Sequence, residues 1–482
     1  MTDSRTRAVV AGASMAGLLA ARVLSETFDR VTLVERDDLP AEPVPRRGVP
    51  QGRHPHGVLA RGVQVLDELF PALLEELAAH GAVVGDMQQD VRWYVDGHLL
   101  RQQPIGMQGI GLTRPLLEDR VRARVLALPG VDVVAPADVD GFVLADGRVT
   151  GVRIRRGNRS AGPQTTDVLP ADLVVDATGR GSHTPAWLES QGLPRPAEER
   201  IDVGMRYTTW VLPRRPGDLG GDRACLIGAT VARPRFGAAL SVEGDRWIVG
   251  AGGYRGDAAP TDLAGFRDYV ATLPASELCE LVSDREPVDD PHTYHFASST
   301  RRRYEQLTRF PDGLLVTGDA LSSFNPVYGQ GITVAALEAL ALRKVLAAGA
   351  DRSARRFFRR VARLIDVPWD MAAGGDLRIP SVSGPRLLRV RVMNAYVARV
   401  QAASAVDAAV GRAFLLVANL TDPPQKLLRP RFAASVLLKA RHAGPVAAPV
   451  AGSGSAVGLP RPREVSPAEA VGAEHDRPLR ER

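Results

Sequence analysis

RAVVAGASMAGLLAARVLSETFDRVTLVER, residues 7–36, is the stretch from which the rest of the chain is read. Ala8-Val9-Val10-Ala11 is a short apolar run of the buried-strand kind. Gly12-Ala13-Ser14-Met15-Ala16-Gly17 turns the chain into a helix whose apolar positions include Leu18, Leu19, Ala21, Val23 and Leu24. Val31-Thr32-Leu33-Val34 is a second β-branched run, closed by Glu35 and Arg36. Together they make a βαβ unit opened by a G-x-S-x-x-G variant of the dinucleotide fingerprint. Gly12 allows the tight turn, and Gly17, lacking a Cβ, lets helix and strand pack closely. The helix N-terminus offers free N–H groups and a partial positive charge to a pyrophosphate. Glu35 is placed to accept hydrogen bonds from ribose hydroxyls and disfavours a 2′-phosphate, which selects FAD or NAD over NADP. Ser14 stands where the middle glycine of the fingerprint would be.

The 482 residues leave room for two or three domains, and 45% hydrophobic with 24% charged residues is ordinary for a globular protein. Two cysteines, Cys225 and Cys279, cannot build a disulfide framework, which fits a reducing, cytoplasmic compartment. The net charge of +6 rests on arginines scattered among acids, without the aromatic interleaving of a nucleic-acid binder. No HExxH or CxxC spacing provides a metal site. The N-terminal apolar run breaks at Gly12 and leads into a second strand, so it does not read as a signal peptide, and no uninterrupted apolar run has membrane-spanning length.

Pro40 to Pro55 is a cationic loop, with Arg46, Arg47, Arg53, His54 and His56 placed to face phosphates or a substrate entrance. Val58 to His80 has helical spacing, and Val91 to Leu100 forms a strand pair about Asp96-Gly97. Thr113-Arg114-Pro115 opens a helix, with Thr as cap and Pro in the first turn. Short strands follow around the Asp146-Gly147 turn, and Ala171 to Gly179 (ADLVVDATG) is an apolar strand ending in a glycine turn. Ile201 to Tyr254 is strand-rich, and Tyr207, Trp210 and Tyr254 there could line a cavity. Phe266 to Val282 reads as a helix. Gly313 to Gly318 is a buried-type strand followed by Asp319, a loop and a helix from Ile332 to Ala348; Phe357 to Leu437 is mostly helical. The arginines at 352, 355, 356, 359, 360 and 363 share one helical face, a solvated stripe that could also dock weakly to an anionic membrane. The expected class is α/β (α+β overall). A Rossmann-like FAD-binding domain covers 1–190 and 301–349, a substrate-binding sheet domain 191–300, a helical region 350–442 and a disordered tail 443–482.

GASMAG with Glu35, DATGRGS at 176–182 and GDALSSFNPVYGQG at 318–331 together resemble the FAD-dependent monooxygenases of the p-hydroxybenzoate hydroxylase fold. The RRGVPQGRHPHGVLARG loop, DATGRGS and FNPVYGQG look closest to the squalene-epoxidase-like branch, including bacterial polyether epoxidases. The resemblance implies FAD as cofactor. It gives Asp319 to the ribityl chain and ribose, and Pro326, Gly329, Gln330 and Gly331 to the segment beside the flavin ring. Arg114 would reach the cofactor, Val139 would give a backbone contact to adenine, Gly179 belongs to the middle motif, and Arg53 would face flavin or phosphate. Where hydroxylases carry Asp-Gly, this chain has Thr178-Gly179. With no second glycine fingerprint, NAD(P)H binds transiently or a separate flavin reductase delivers electrons. The implied chemistry is transfer of one oxygen from O2, through a flavin C4a-hydroperoxide, to an alkene or aromatic carbon of a lipophilic specialised metabolite. A geranylgeranyl-reductase-type enzyme without oxygen transfer is the alternative. A flavin halogenase is disfavoured, because no lysine precedes Lys344. Neither acid–base residues nor oligomeric state can be read from these motifs.

Overall fold

The computed structural model describes residues 6–156, 165–349 and 353–444. Arg352 and nearly all of the tail expected to be disordered lie outside them. A five-stranded parallel sheet carries the strands in the order Leu314–Val316, Leu173–Asp176, Arg7–Ala11, Arg30–Val34 and Val131–Val134. The strands are largely apolar because both faces are covered; Val10, Val174, Leu314 and Val316 are completely buried. The helices Met15–Leu24 and Gly331–Leu346 pack on each other against this sheet. A three-stranded antiparallel sheet, Ala137–Ala145, Arg148–Arg156 and Thr165–Pro170, turns at Asp146-Gly147 with positive φ at both residues.

The eight-stranded sheet is ordered Ser322–Ser323, His292–Arg302, Glu198–Pro213, Arg246–Gly253, Arg235–Val242, Ala224–Ile227, Val91–Val95 and His98–Leu99. Period-two alternation divides its residues between two cores. Trp210, Trp247 and Val249 face the helices Leu263–Ala271 and Glu277–Ser283 with Phe266 and Leu278. Tyr207, Phe236 and Tyr254 join the main core on the other face. The trio expected to line one cavity is therefore split: Trp210 packs away from Tyr207 and Tyr254.

Two expected helices are each interrupted. The Val58 to His80 segment becomes Ala60–Leu69 and Leu73–Ala79, broken at Pro71 and Ala72, the latter with φ 61°. The Phe266 to Val282 segment is parted by Pro274. The C-terminal region is helical over Ser353–Asp376, Leu388–Val406, Ala408–Ala418 and Pro430–Lys439. On the first of these Phe357, Phe358, Val361 and Ile365 are buried while Arg355, Arg356, Arg359, Arg360 and Arg363 are exposed, the segregation expected of an amphipathic helix. No described helix is long and apolar enough to cross a membrane.

Candidate functional site

Three turns leave the parallel sheet at the carboxyl ends of adjacent strands. Ala177 N donates to Ala11 O (2.8 Å) and Thr317 N to Asp176 O (2.9 Å), which sets the turns after Ala11, Asp176 and Val316 side by side. Such an edge of an open parallel sheet is where ligands bind in this architecture. The turns are close enough to forbid side chains. A Cβ on Gly12, itself at φ +100°, would stand 2.6 Å from Ala177 O, and one on Gly318 would stand 2.6 Å from the Ala16 Cβ. A Cβ on Gly17 would stand 1.8 Å from Gly12 O. The strand-to-helix crossing therefore excludes even alanine.

Ser14 is the N-cap of the Met15–Leu24 helix, yet its hydroxyl does not cap it. Ser14 Oγ instead donates to Glu118 Oε2 (2.9 Å) and accepts from Arg114 Nη2 (3.0 Å). The first helical turn carries no acidic residue either, which suits a helix end meeting an anion supplied from outside. Met15 is buried beneath it. Arg114 heads the Arg114–Leu126 helix, where the Thr113 Oγ1 cap accepts from Leu116 N (3.3 Å).

Glu35 is buried, and each of its oxygens already accepts one hydrogen bond. Its Oε2 accepts from Ala13 N (2.8 Å) and its Oε1 from Asp37 N (3.0 Å). Beside it lies a feature the sequence placed differently. Arg46, on a loop expected to face phosphates or a substrate entrance, is buried among three carboxylates: its Nε donates to Glu118 Oε1 (2.8 Å), with Nη2 bonded to the same oxygen, and Nη1 lies 3.4 Å from Glu35 and 3.5 Å from Asp37. Burial opposes the Arg46 charge, but Glu118, Glu35 and Asp37 outweigh it and hold the guanidinium above its usual pKa. Burial likewise opposes ionisation of Glu118, and Arg114 and Arg46 reverse that, leaving it below the usual carboxylate range. Arg36 is exposed next to this cluster. Val139 lies on the strand whose Ala137 N donates to Glu35 O (2.7 Å).

In the middle motif Gly179 takes φ +79°, and Asp176 serves the turn itself, accepting from Thr178 N (2.9 Å), Ser182 Oγ (2.5 Å) and Thr184 Oγ1 (2.5 Å). Arg180, not singled out from the sequence, donates to Ser298 O (3.0 Å) and lies over the Phe296 ring (4.4 Å). Asp319 has no hydrogen-bond partner among the described residues. Burial raises its pKa, while the charges of Arg180 and Arg114 work to lower it.

Pro326 opens a single turn, Gly329 takes φ +63°, and Gln330 caps the helix that Gly331 begins. Gln330 is buried and its Oε1 has no partner, an acceptor left over at that helix end. The His54-to-Leu59 segment lies against this turn: a Cβ on Gly329 would be 3.7 Å from Gly57 O. His54 Nδ1 meets Thr209 Oγ1 (2.9 Å), its ring sits edge-on to Tyr207 and Tyr294, and burial pushes it down to about 4, a neutral imidazole. Arg53 is exposed, 3.4 Å from His292 at the sheet's rim. Among the described residues no cluster of His, Cys, Asp or Glu is arranged for a metal ion.

Beneath Asp319, buried Glu338 accepts from Thr317 Oγ1 (2.6 Å) and Gly318 N (2.6 Å), while its Oε1 is unpartnered. Burial raises its pKa to about 7. A carboxyl raised in the folded state contributes stability that is complete below its unfolded value near 4.5 and is lost as pH climbs through about 7. Glu338→Gln, which keeps the acceptor, is expected to flatten that decline by about 3 kcal/mol, read from urea unfolding of both proteins across this range.

The cleft thus has what FAD requires of a protein: an uncapped helix N-terminus behind a glycine crossing, a carboxylate after the second strand, a partnerless aspartate and a second helix end with a spare acceptor. No family model matches the chain. Protein Rv3254 of Mycobacterium tuberculosis (strain ATCC 25618 / H37Rv) is 34% identical over 387 residues, 78% of this chain and 81% of that protein. Kynurenine 3-monooxygenase of Salinispora arenicola (strain CNS-205) is 26% identical across 73% of this chain and 75% of its own. Among solved structures, p-nitrophenol 4-monooxygenase PnpA from Pseudomonas putida DLL-E4 shares the fold at 18% identity, with a TM-score of 0.59 over 86% of this chain and 98% of that one. The chain belongs to the family of Protein Rv3254 and shares the fold of p-nitrophenol 4-monooxygenase PnpA.

Proposed function

We propose that this enzyme inserts one oxygen atom of O2 into a lipophilic small molecule, by epoxidation of an alkene or hydroxylation, in specialised metabolism. The observation that carries the reading is the convergence of the turns after Ala11, Asp176 and Val316 on one edge of the parallel sheet. Bound FAD would supply the redox chemistry and the activation of O2. The N–H groups at Ser14, Met15 and Ala16, ahead of Gly17, would hold its pyrophosphate. The free valences of the Glu35 carboxylate would take ribose hydroxyls, with Val139 on the adenine side, and Asp319 would take the hydroxyls of the ribityl chain. Gln330 and the Gly331 helix end would face the pyrimidine edge, where a positive dipole stabilises the negative charge that reduction creates. The largely apolar wall of Tyr207, Phe236 and Tyr254 would exclude water from the reacting side. Electrons would come from NAD(P)H bound transiently or from a separate flavin reductase.

The purified protein is expected to be yellow, and Glu35→Ala and Asp319→Ala each to lower FAD occupancy at least about tenfold, measured by flavin absorbance after gel filtration. Colourless wild-type protein that takes up no added FAD would overturn the proposal. Product formation that proceeds at full rate without O2 would favour the reductase alternative.

A further inference from the structure

Asp376 ends the Ser353–Asp376 helix and is completely buried. Its Oδ1 accepts three hydrogen bonds: Asn325 Nδ2 at 2.8 Å, Tyr328 Oη at 3.1 Å and Tyr254 Oη at 3.3 Å. Its Oδ2, equally buried, has none. A bare carboxyl oxygen in a protein interior is costly, and native proteins seldom leave one without a purpose. The carboxyl also cannot turn to relieve it, because three donors from two elements fix its orientation. Two of them belong to the Asn325–Tyr328 turn, the segment that leads to Gly329 and Gln330, and the third comes from the end of the Arg246–Gly253 strand.

Tyr254 begins a line of rings on the sheet face that meets the main core. Phe236 lies 6.2 Å from it between centroids, Tyr207 lies 6.0 Å further, and His54 and Tyr294 follow at 4.8 and 5.5 Å. The line is aromatic and largely apolar, and Asp376, bonded to Tyr254, stands at one end of it.

We propose that Asp376 is a specificity-determining residue whose Oδ2 accepts a hydrogen bond from a hydroxyl or amino group of the substrate. The assignment rests on the monooxygenase reading for what the ligand is. A substrate carrying only acceptors at that end leaves two acceptors face to face and is rejected. Burial raises Asp376 to about 7, against the pull of its three donors, so the ionised form that accepts at Oδ2 gains ground above that pH, where the preference should be strongest.

The test uses the FAD-loaded protein and three probes of one shape: 2-naphthol with a donor, 2-methoxynaphthalene with an acceptor only, and 2-methylnaphthalene with neither. Affinities are read from perturbation of the flavin absorbance band. The wild type is expected to bind 2-naphthol at least about tenfold tighter than the other two. Asp376→Asn keeps an acceptor for the three donors and presents an NH2 where Oδ2 stood, so preference should pass to 2-methoxynaphthalene. Asp376→Leu should show no preference, and if it fails to retain FAD the asparagine variant decides alone. Equal affinity for all three probes in yellow wild type, binding of none, or an unchanged preference in Asp376→Asn would overturn the assignment and leave the flavin reading standing. A wild type that binds no FAD would remove both.

Discussion

Gly17→Ala is expected to give protein without bound FAD, most of it insoluble, and the effect should be among the largest any single methyl group produces in this chain. The added carbon would lie 1.8 Å from Gly12 O, about half of an ordinary carbon–oxygen contact distance, and the obstructing atom is backbone. Relief requires the Met15–Leu24 helix to lift from the strand Arg7–Ala11, and that helix is buried along nearly its whole length, so the lift opens the main core. The cost should exceed about 3 kcal/mol, at the top of the range for overpacking. Gly181→Ala is the matched control: a Cβ there meets nothing within 4 Å, and its yield and flavin content should be those of wild type. Soluble, yellow Gly17→Ala at wild-type melting temperature would contradict the strand–helix geometry.

Arg46→Ala should be nearly as damaging for an electrostatic reason. The guanidinium is 4% exposed and is the cation shared by Glu118, Glu35 and Asp37, whose side chains are 5, 7 and 13% exposed. Removing one partner of a buried ion pair leaves the other charge uncompensated, at about 3–5 kcal/mol. The three carboxylates would then repel one another, with Arg114, at 3.4 Å from Glu118, an incomplete substitute. The melting temperature should fall by about 5–10 °C at neutral pH. Part of that loss should return near pH 4, as the abandoned carboxylates take up protons; a uniform loss at both pH values would mean that packing, not charge, is what Arg46 provides. Because Ala13 N donates to Glu35 and Ser14 Oγ to Glu118, flavin retention should weaken in parallel.

The three motif stretches were legible in the sequence because each consists of short-range signals: a buried apolar strand, a glycine at positive φ and a helix start. Such signals do not need the rest of the chain. Thr113 and the Asp146-Gly147 turn were legible for the same reason. What escaped depended on partners far away in the chain. Arg46 stands in a proline- and arginine-rich loop that looks solvated, and only Glu118, 72 positions on, makes it a core residue. Glu118 itself carries a local hint, four residues after Arg114 on one helix face. Arg53, one of several cations in that loop, goes to the rim, because local charge density does not say which arginine turns inward. Asp376 is an ordinary acid on an amphipathic helix until the fold brings Asn325 and Tyr254 to it from 51 and 122 positions away. The splitting of Trp210 from Tyr207, three positions apart on one strand, follows from strand alternation and is implicit in their spacing.

The strands Val91–Val95 and His98–Leu99 have a consequence for how the protein can be taken apart. They lie early in the chain, yet they complete the eight-stranded sheet beyond Ala224–Ile227, with Val91 paired to Ala224. A fragment spanning 191–300 would carry Ala224–Ile227 as a naked margin of unpaired N–H and C=O groups, inviting association with other copies. The nucleotide half would in turn release a ribbon with Trp93 and Tyr94 unsheltered. Limited proteolysis should therefore nick this protein without freeing a stable piece, and the parallel and eight-stranded sheets must be made, folded and handled together.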